Sequence, residues 1–396
     1  MDVLLRLAEL SVVLGANVQP DQVVLVVGDV AHVALVRAVA EAAYRQGARF
    51  VDVDLADSHV HRSRVLHARD DTLGYVAAWP EARIHELAQA HGAGIRIVSP
   101  PPPGLYDDVD AARVDRAQPP LSRAWREVEY RVNNTIIPGP TEAWAQALRP
   151  DLAAAEALAG LWDDISVACR LADPDPVVSW RRRFADLRER ARALTALRLD
   201  AVRLRGPGTD LVVGLPPTAR WEPPTHVNEG GIEHVWNLPS EEVYTVPDRD
   251  RADGVVRLTS PAVVGGRLAH DVKLTFRGGR VVSVAGSEGV DALCTYLARD
   301  EGTTRLGELA LVDGASAVAS LGRTFGLILL DENRASHIAL GFGFPALVEQ
   351  SDRDRINTSG DHLDVSIGSD QVEVTGIDVD GREHRLLCGG IWQHDP

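Results

Sequence analysis

The chain has 396 residues, 45% of them apolar and 25% charged, with a formal charge of −16. This composition excludes a disordered chain. The acidic balance argues against nucleic acid or an anionic membrane as partner, since both need clustered Lys and Arg.

The opening MDVLLRLAELSVVLG has the spacing of an amphipathic helix reaching about Gly15. It lacks the basic start and small-residue cleavage site of a signal peptide. No apolar run approaches the roughly 18 residues that span a bilayer, so a cytoplasmic protein is expected. Val23–Val27 (VVLVV) has the continuous apolar character of a strand buried on both faces. Val33–Tyr44 is spaced as a helix ending near Gly47, and Phe50–Leu55 as a second strand, which together make a βαβ unit. The turn between them reads GDVAH, neither GxGxxG nor a phosphate loop, so this layer is read as structural. Gly94–Ser99 is a third strand that stops at Pro100–Pro103, Asn134–Pro138 a fourth, and Trp144–Leu148 opens a helix. The Arg-rich segment Val177–Leu197 has helical spacing, and its arginines are expected on a solvated face.

The texture changes near Arg198 to short strands and turns: LRLDAVRLRGPGTDLVVGL, Val255–Leu258, Val272–Phe276, Val281–Ala285 and Gln371–Ile377, with one helix over Gly289–Ala298. The predicted architecture is an α/β N-terminal domain with a parallel sheet over 1–197, followed by an α+β, β-rich domain over 198–396. The length allows two cores of this size. Cys169, Cys294 and Cys388 have no disulfide or zinc spacing and are expected as free core thiols.

The segment that draws attention chemically is Asp331–His337, DENRASH, after the apolar run Leu327–Leu330, which reads as a buried strand. Histidine beside carboxylates at a strand end suits a metal or acid–base site. Glu241 and Glu242 form a pair of which strand geometry allows only one to face a site. Glu308 lies just ahead of the apolar run Leu309–Val312; it either meets a buried partner or ends a helix in solvent. His337, in an apolar setting, is a ligand or a satisfied core residue. His362 and Asp364 stand two apart, so on a strand they project together as half of a metal site. Three carboxylates and two imidazoles suit two divalent ions sharing a carboxylate, or one ion on a two-His-one-carboxylate face. Asp331, Glu332, Glu241 and Asp361 are spare acids for moving a proton, with Glu241 taken as the catalytic one.

NLPSEEVYTVPDR, RLGELALV, DENRASHIALG and DHLDVSIGSD together resemble, in order, the motifs of the thermophilic aminopeptidase family of metallopeptidases, of aminopeptidase T and aminopeptidase S type. WAQALRPD and RGPGTDLVVGL extend the likeness over essentially the whole chain. The resemblance implies a homodimer enclosing a cavity, a β-rich domain carrying two metal ions (zinc, cobalt, manganese or magnesium), and removal of N-terminal residues from a peptide or small amide substrate. It implies Glu242, Glu308, His337, His362 and Asp364 as metal ligands. One departure stands out: Phe344 occupies the place of a family tyrosine, so a substrate-facing hydroxyl donor is missing, which points to a diverged member with a narrow substrate. Dihydroxypyridine dioxygenases resemble this fold and keep a mononuclear iron, ring-cleaving reading open, as does a metal-binding homologue without peptidase activity.

Overall fold

The computed structural model describes residues 2–117, 121–264 and 267–393. The chain divides into two compact units, Met1–Arg181 with Thr225–Ser240, and Arg182–Pro224 with Glu241–Pro396. The division after Arg181 falls inside the helix Pro176–Ala196, ahead of the boundary expected near 197, and a later segment returns to the first unit.

The first unit is built on a parallel sheet of β1 (Val23–Asp29), β2 (Phe50–Ala56), β3 (Ala93–Val98) and β4 (Asn133–Pro138), in the order β2-β1-β3-β4. The VVLVV run is the inner strand β1, where Val24, Leu25 and Val26 are almost fully buried. The helix Val33–Arg45 crosses over from β1 to β2 and buries Leu35, Val36, Ala38, Val39 and Ala43. These residues repeat at helical spacing, and that stripe is what packs the helix on the sheet. Thr225–Ser240 lies along β4: Ile136 donates its N–H to the Trp236 carbonyl at 2.7 Å, and Leu238 donates to the Ile136 carbonyl at 2.9 Å.

The second unit contains an eight-stranded antiparallel sheet, with Leu199–Gly206 and Thr209–Gly214 at its centre. A separate four-stranded antiparallel sheet carries the chemistry: β5 (Glu242–Thr245), β6 (Leu306–Val312), β7 (His337–Gly341) and β8 (His362–Ser366), in the order β8-β7-β6-β5. All seven residues of β6 are buried. Glu308 therefore sits within a buried strand rather than at a solvated helix end.

Two expectations need correction. Leu327–Leu330 is not a strand. Ile328–Asp331 forms a short helix, with Asp331 donating its N–H to the Leu327 carbonyl and accepting at Oδ1 from the Phe325 N–H at 2.7 Å. An apolar run of four residues carries no period that separates a strand from a buried helical turn. His337 consequently opens a strand rather than following one. Among the cysteines, all free, only Cys169 is buried; Cys294 is exposed on the helix Val290–Leu297. Among the described residues, no helix is long and apolar enough to cross a membrane.

Candidate metal centre

Strand register assembles the site. Across the sheet, Glu308 pairs with Ala339 and Ala339 with Asp364; Tyr244 pairs with Ala310 and Ala310 with His337; Val312 pairs with Glu242 and Gly341 with His362. Directly opposed residues share a face, and so do residues two apart. Glu242, Glu308, His337, His362 and Asp364 accordingly rise from one face of four adjacent strands. Ala310 and Ala339 lie among them, and their methyl groups leave the middle of that face free of bulk.

The five side chains form two groups that share one member. Glu242, Glu308 and His337 each bring one ligand atom within 4.8 Å of the others, and Glu308, His362 and Asp364 do the same. His337 Nε2 lies 3.2 Å from Glu242 Oε2 and 4.0 Å from Glu308 Oε1. His362 Nε2 lies 3.1 Å from Asp364 Oδ1 and 3.3 Å from Glu308 Oε2. Each imidazole is held from behind. His337 Nδ1 donates to the Glu332 carbonyl at 3.0 Å, and His362 Nδ1 donates to the Phe342 carbonyl at 2.9 Å. A carbonyl can only accept, so Nδ1 carries the proton and Nε2 is directed at the carboxylates, the arrangement that prepares histidine for a metal.

The Phe342 carbonyl reaches this position because residue 307 has no side chain. A Cβ on Gly307 would stand 2.1 Å from that oxygen, beside the irregularity in the β6–β7 pairing between Leu306 and Glu308. The glycine is thus a requirement of close backbone approach.

Charge tells the same story as geometry. Burial pushes the Glu242 carboxyl up to about 8; His337 opposes this, while Glu308 and Asp364 add to it. Burial, then Asp364, Glu242 and Glu308, holds Glu332 well above the usual carboxylate range. Burial presses His337 and His362 down, yet the surrounding carboxylates outweigh it and leave both imidazoles above their ordinary value. Burial also acts on Asp364, but His362 outweighs it and holds the carboxyl low. Four carboxylates against two imidazoles leave a deficit of positive charge. Glu242 Oε2 is moreover buried with no hydrogen-bond partner, an orphan that a cation would satisfy. Mixed carboxylate and imidazole donors in this number fit divalent metal ions.

The remaining acids separate clearly. Glu241 is fully buried and faces away from the ligand groups. Its Oε2 accepts from Arg183 Nε at 2.6 Å and its Oε1 from the Ala317 N–H at 3.0 Å. Both oxygens are engaged, which corrects its expected role as the catalytic acid. Asp361 is paired with Arg299 at 2.7 Å, and Asp331 is spent on the Phe325 N–H. Glu332, among these spare acids, does lie in the field of the ligand carboxylates Asp364, Glu242 and Glu308. The signal for it was its position in D-E-N just before His337. Arg183 corrects the reading of its helix as carrying solvated arginines only: its side chain is 11% exposed, bonded to Glu241 and to Asp313. Spacing could have found it, since Arg183 stands one helical turn from Leu187, in the stripe that continues through Ala191 and Leu194. Phe344 is stacked edge-on against His362, Tyr244 and Phe342, with ring centroids 5.8, 5.3 and 5.6 Å apart. Tyr296 is committed elsewhere, donating its hydroxyl to the Leu340 carbonyl at 2.8 Å.

Comparison with known proteins identifies the family. The family model of the thermophilic metalloproteases (M29) matches residues 2–392. Aminopeptidase T of Thermus thermophilus is 36% identical over 401 residues, covering 98% of this chain and 97% of that relative. Aminopeptidase AmpS of Bacillus subtilis is 31% identical over 398 residues, covering 97% of each. The structure of wild-type AmpT from Thermus thermophilus superposes with a TM-score of 0.90 at 34% identity, covering 99% of both chains. Nothing in these comparisons supports the dioxygenase reading. Their reach from one end of the chain to the other, on a shared fold, shows that the chain belongs to the M29 family of thermophilic metalloproteases.

Proposed function

We propose that the protein is an aminopeptidase that uses two divalent ions to cleave the amide of a peptide or small amide substrate. The observation that carries this reading is the pair of ligand groups meeting at Glu308. Glu242 and His337 would hold one ion, His362 and Asp364 the other, and Glu308 would bridge them. Zinc, cobalt, manganese and magnesium all accept such donors. When bound, the pair of ions would lower the pKa of a water and polarise the scissile carbonyl.

The chain supplies the rest. Nδ1 of each histidine keeps its proton on a backbone carbonyl, so that Nε2 stays available. Glu332, the acid beside the ligands that neither group uses, takes the role of holding a proton on its carboxylate and passing it to the leaving amine. Tyr244, Phe342 and Phe344 make an aromatic wall beside His362, which favours an apolar group on the substrate. Phe344 offers no hydrogen-bond donor there, which supports specialisation toward a narrow substrate. Aminopeptidase activity is carried by the likeness to relatives of that name. A homodimer belongs to the same proposal and rests on the family resemblance alone.

Elemental analysis of the purified protein, run beside assays on amino-acid anilides, tests the reading. Close to two divalent ions per chain with hydrolysis is the expected result. A single iron with oxygen uptake, or full metal loading without turnover on any amide, would overturn it.

A further inference from the structure

Glu242 is the first residue of β5, paired across the sheet with Val312, so its aim depends both on that pairing and on what anchors the residue before it. We infer that Arg183, Glu241 and Asn333 are positioning residues that aim Glu242 and His337 at one of the two proposed ions; the inference rests on the metal reading of the site.

Glu241 is anchored in three directions. Oε2 accepts from Arg183 Nε at 2.6 Å, Oε1 accepts from the Ala317 N–H at 3.0 Å, and its own N–H donates to Asn333 Oδ1 at 2.6 Å. Arg183 in turn donates to Asp313 Oδ1 at 2.9 Å. These groups are enclosed, with side-chain exposures of 11% for Arg183, 0% for Glu241 and 6% for Asp313. With residue 241 fixed, strand alternation turns the next side chain to the opposite face, where Glu242 meets His337.

Asn333 carries the connection to the other ligand of the same ion. Its Nδ2 donates to the Leu329 carbonyl at 3.0 Å and to Glu332 Oε1 at 3.3 Å, and its own carbonyl accepts from Ser316 Oγ at 2.6 Å. The Glu332 carbonyl is the acceptor that orients His337. One amide side chain thus joins the strand end carrying Glu242 to the turn that sets the His337 ring. The bonds just named reach neither His362 nor Asp364. A buried ion triad is a weak source of net stability because desolvation cancels much of the attraction. What this one supplies is direction: an arginine fork and an amide each have a fixed bonding plane.

The test is a Co(II) titration of chelator-treated protein, read by visible absorption and equilibrium dialysis, with thermal melts of each apo variant. Wild type is expected to bind two ions. Asn333→Ala and Arg183→Met are expected to weaken one of the two by about 10–100-fold, the range for groups that orient metal ligands, and to leave the other unchanged. Arg183→Lys keeps the charge but loses the fork, and is expected to show a smaller, equally selective loss; it is the variant to read if Arg183→Met does not fold. Equal weakening of both ions in step with a lower Tm would reduce the network to a structural role and overturn the inference. Unaltered affinities for both ions would overturn it as well. Wild type that binds one ion or none would instead remove the two-metal reading on which the inference stands.

Discussion

Glu241 and Glu242 are neighbours in sequence with opposite surroundings: Glu241 lies 2.6 Å from the Arg183 guanidinium, while Glu242 lies 3.2 Å from the His337 imidazole on the other face of the strand. The same alternation that separates them assigns their work. One acid anchors the strand and the other presents an oxygen to the cluster.

Glu332, rather than Glu241, is the acid whose loss is expected to stop chemistry alone. Glu332→Gln should leave metal content unchanged and lower kcat by about 10²–10⁴-fold, the usual worth of a positioned proton carrier. Glu241→Ala should instead lower stability by about 3–5 kcal/mol, because it leaves the Arg183 charge buried with one partner fewer. Steady-state kinetics with metal analysis checks the first, and urea denaturation the second. Metal loss in Glu332→Gln would make that residue a ligand.

Glu308 belongs to both ligand groups and Asp364 to one. Glu308→Ala should therefore remove both ions, whereas Asp364→Ala should remove one. Elemental analysis after exhaustive dialysis distinguishes them. Equal metal content in the two variants would argue against a shared carboxylate.

Phe344 stands edge-on to His362 with ring centroids 5.8 Å apart. A hydroxyl added there would extend from an aromatic ring already next to the ligands. Phe344→Tyr is expected to raise kcat on amino-acid anilides at least tenfold, since one donor to a developing oxyanion is worth roughly 2.7–4 kcal/mol. No gain would mean that another group supplies the donor or that the substrate needs none.

The pH dependence of stability has a source outside the metal cluster. His226 stacks on Trp236 with centroids 3.5 Å apart, and burial lowers His226 to about 3 and His234 to about 4. Both values lie below the 6.5 of an unfolded histidine. As pH falls below 6.5 the unfolded chain takes up protons that the folded chain refuses, so stability falls with pH. At pH 5 the loss is about 2 kcal/mol for each histidine. His226→Phe, which keeps the stack, should remove its share. Urea midpoints at pH 7 and pH 5 measure this, and an unchanged difference between the two would sink it.

Local chemistry made much of this protein legible in its sequence. VVLVV could bury both faces only inside a parallel sheet, and the helical stripe of Val33–Arg45 had to cover it. His362 and Asp364, two apart, had to share a face wherever that strand went. The motif order pointed to the family. Tertiary structure decided what depends on partners distant in the chain. Leu327–Leu330 was too short to declare its period, and packing turned it into a helical turn. Which glutamate of the pair faced inward depended on Arg183 and Asn333, which lie 58 and 92 residues away. Glu332 entered the site because the turn before His337 folded its carboxylate toward charges on three other strands. Periodicity tells which face a side chain occupies; only the completed sheet tells what stands on that face with it.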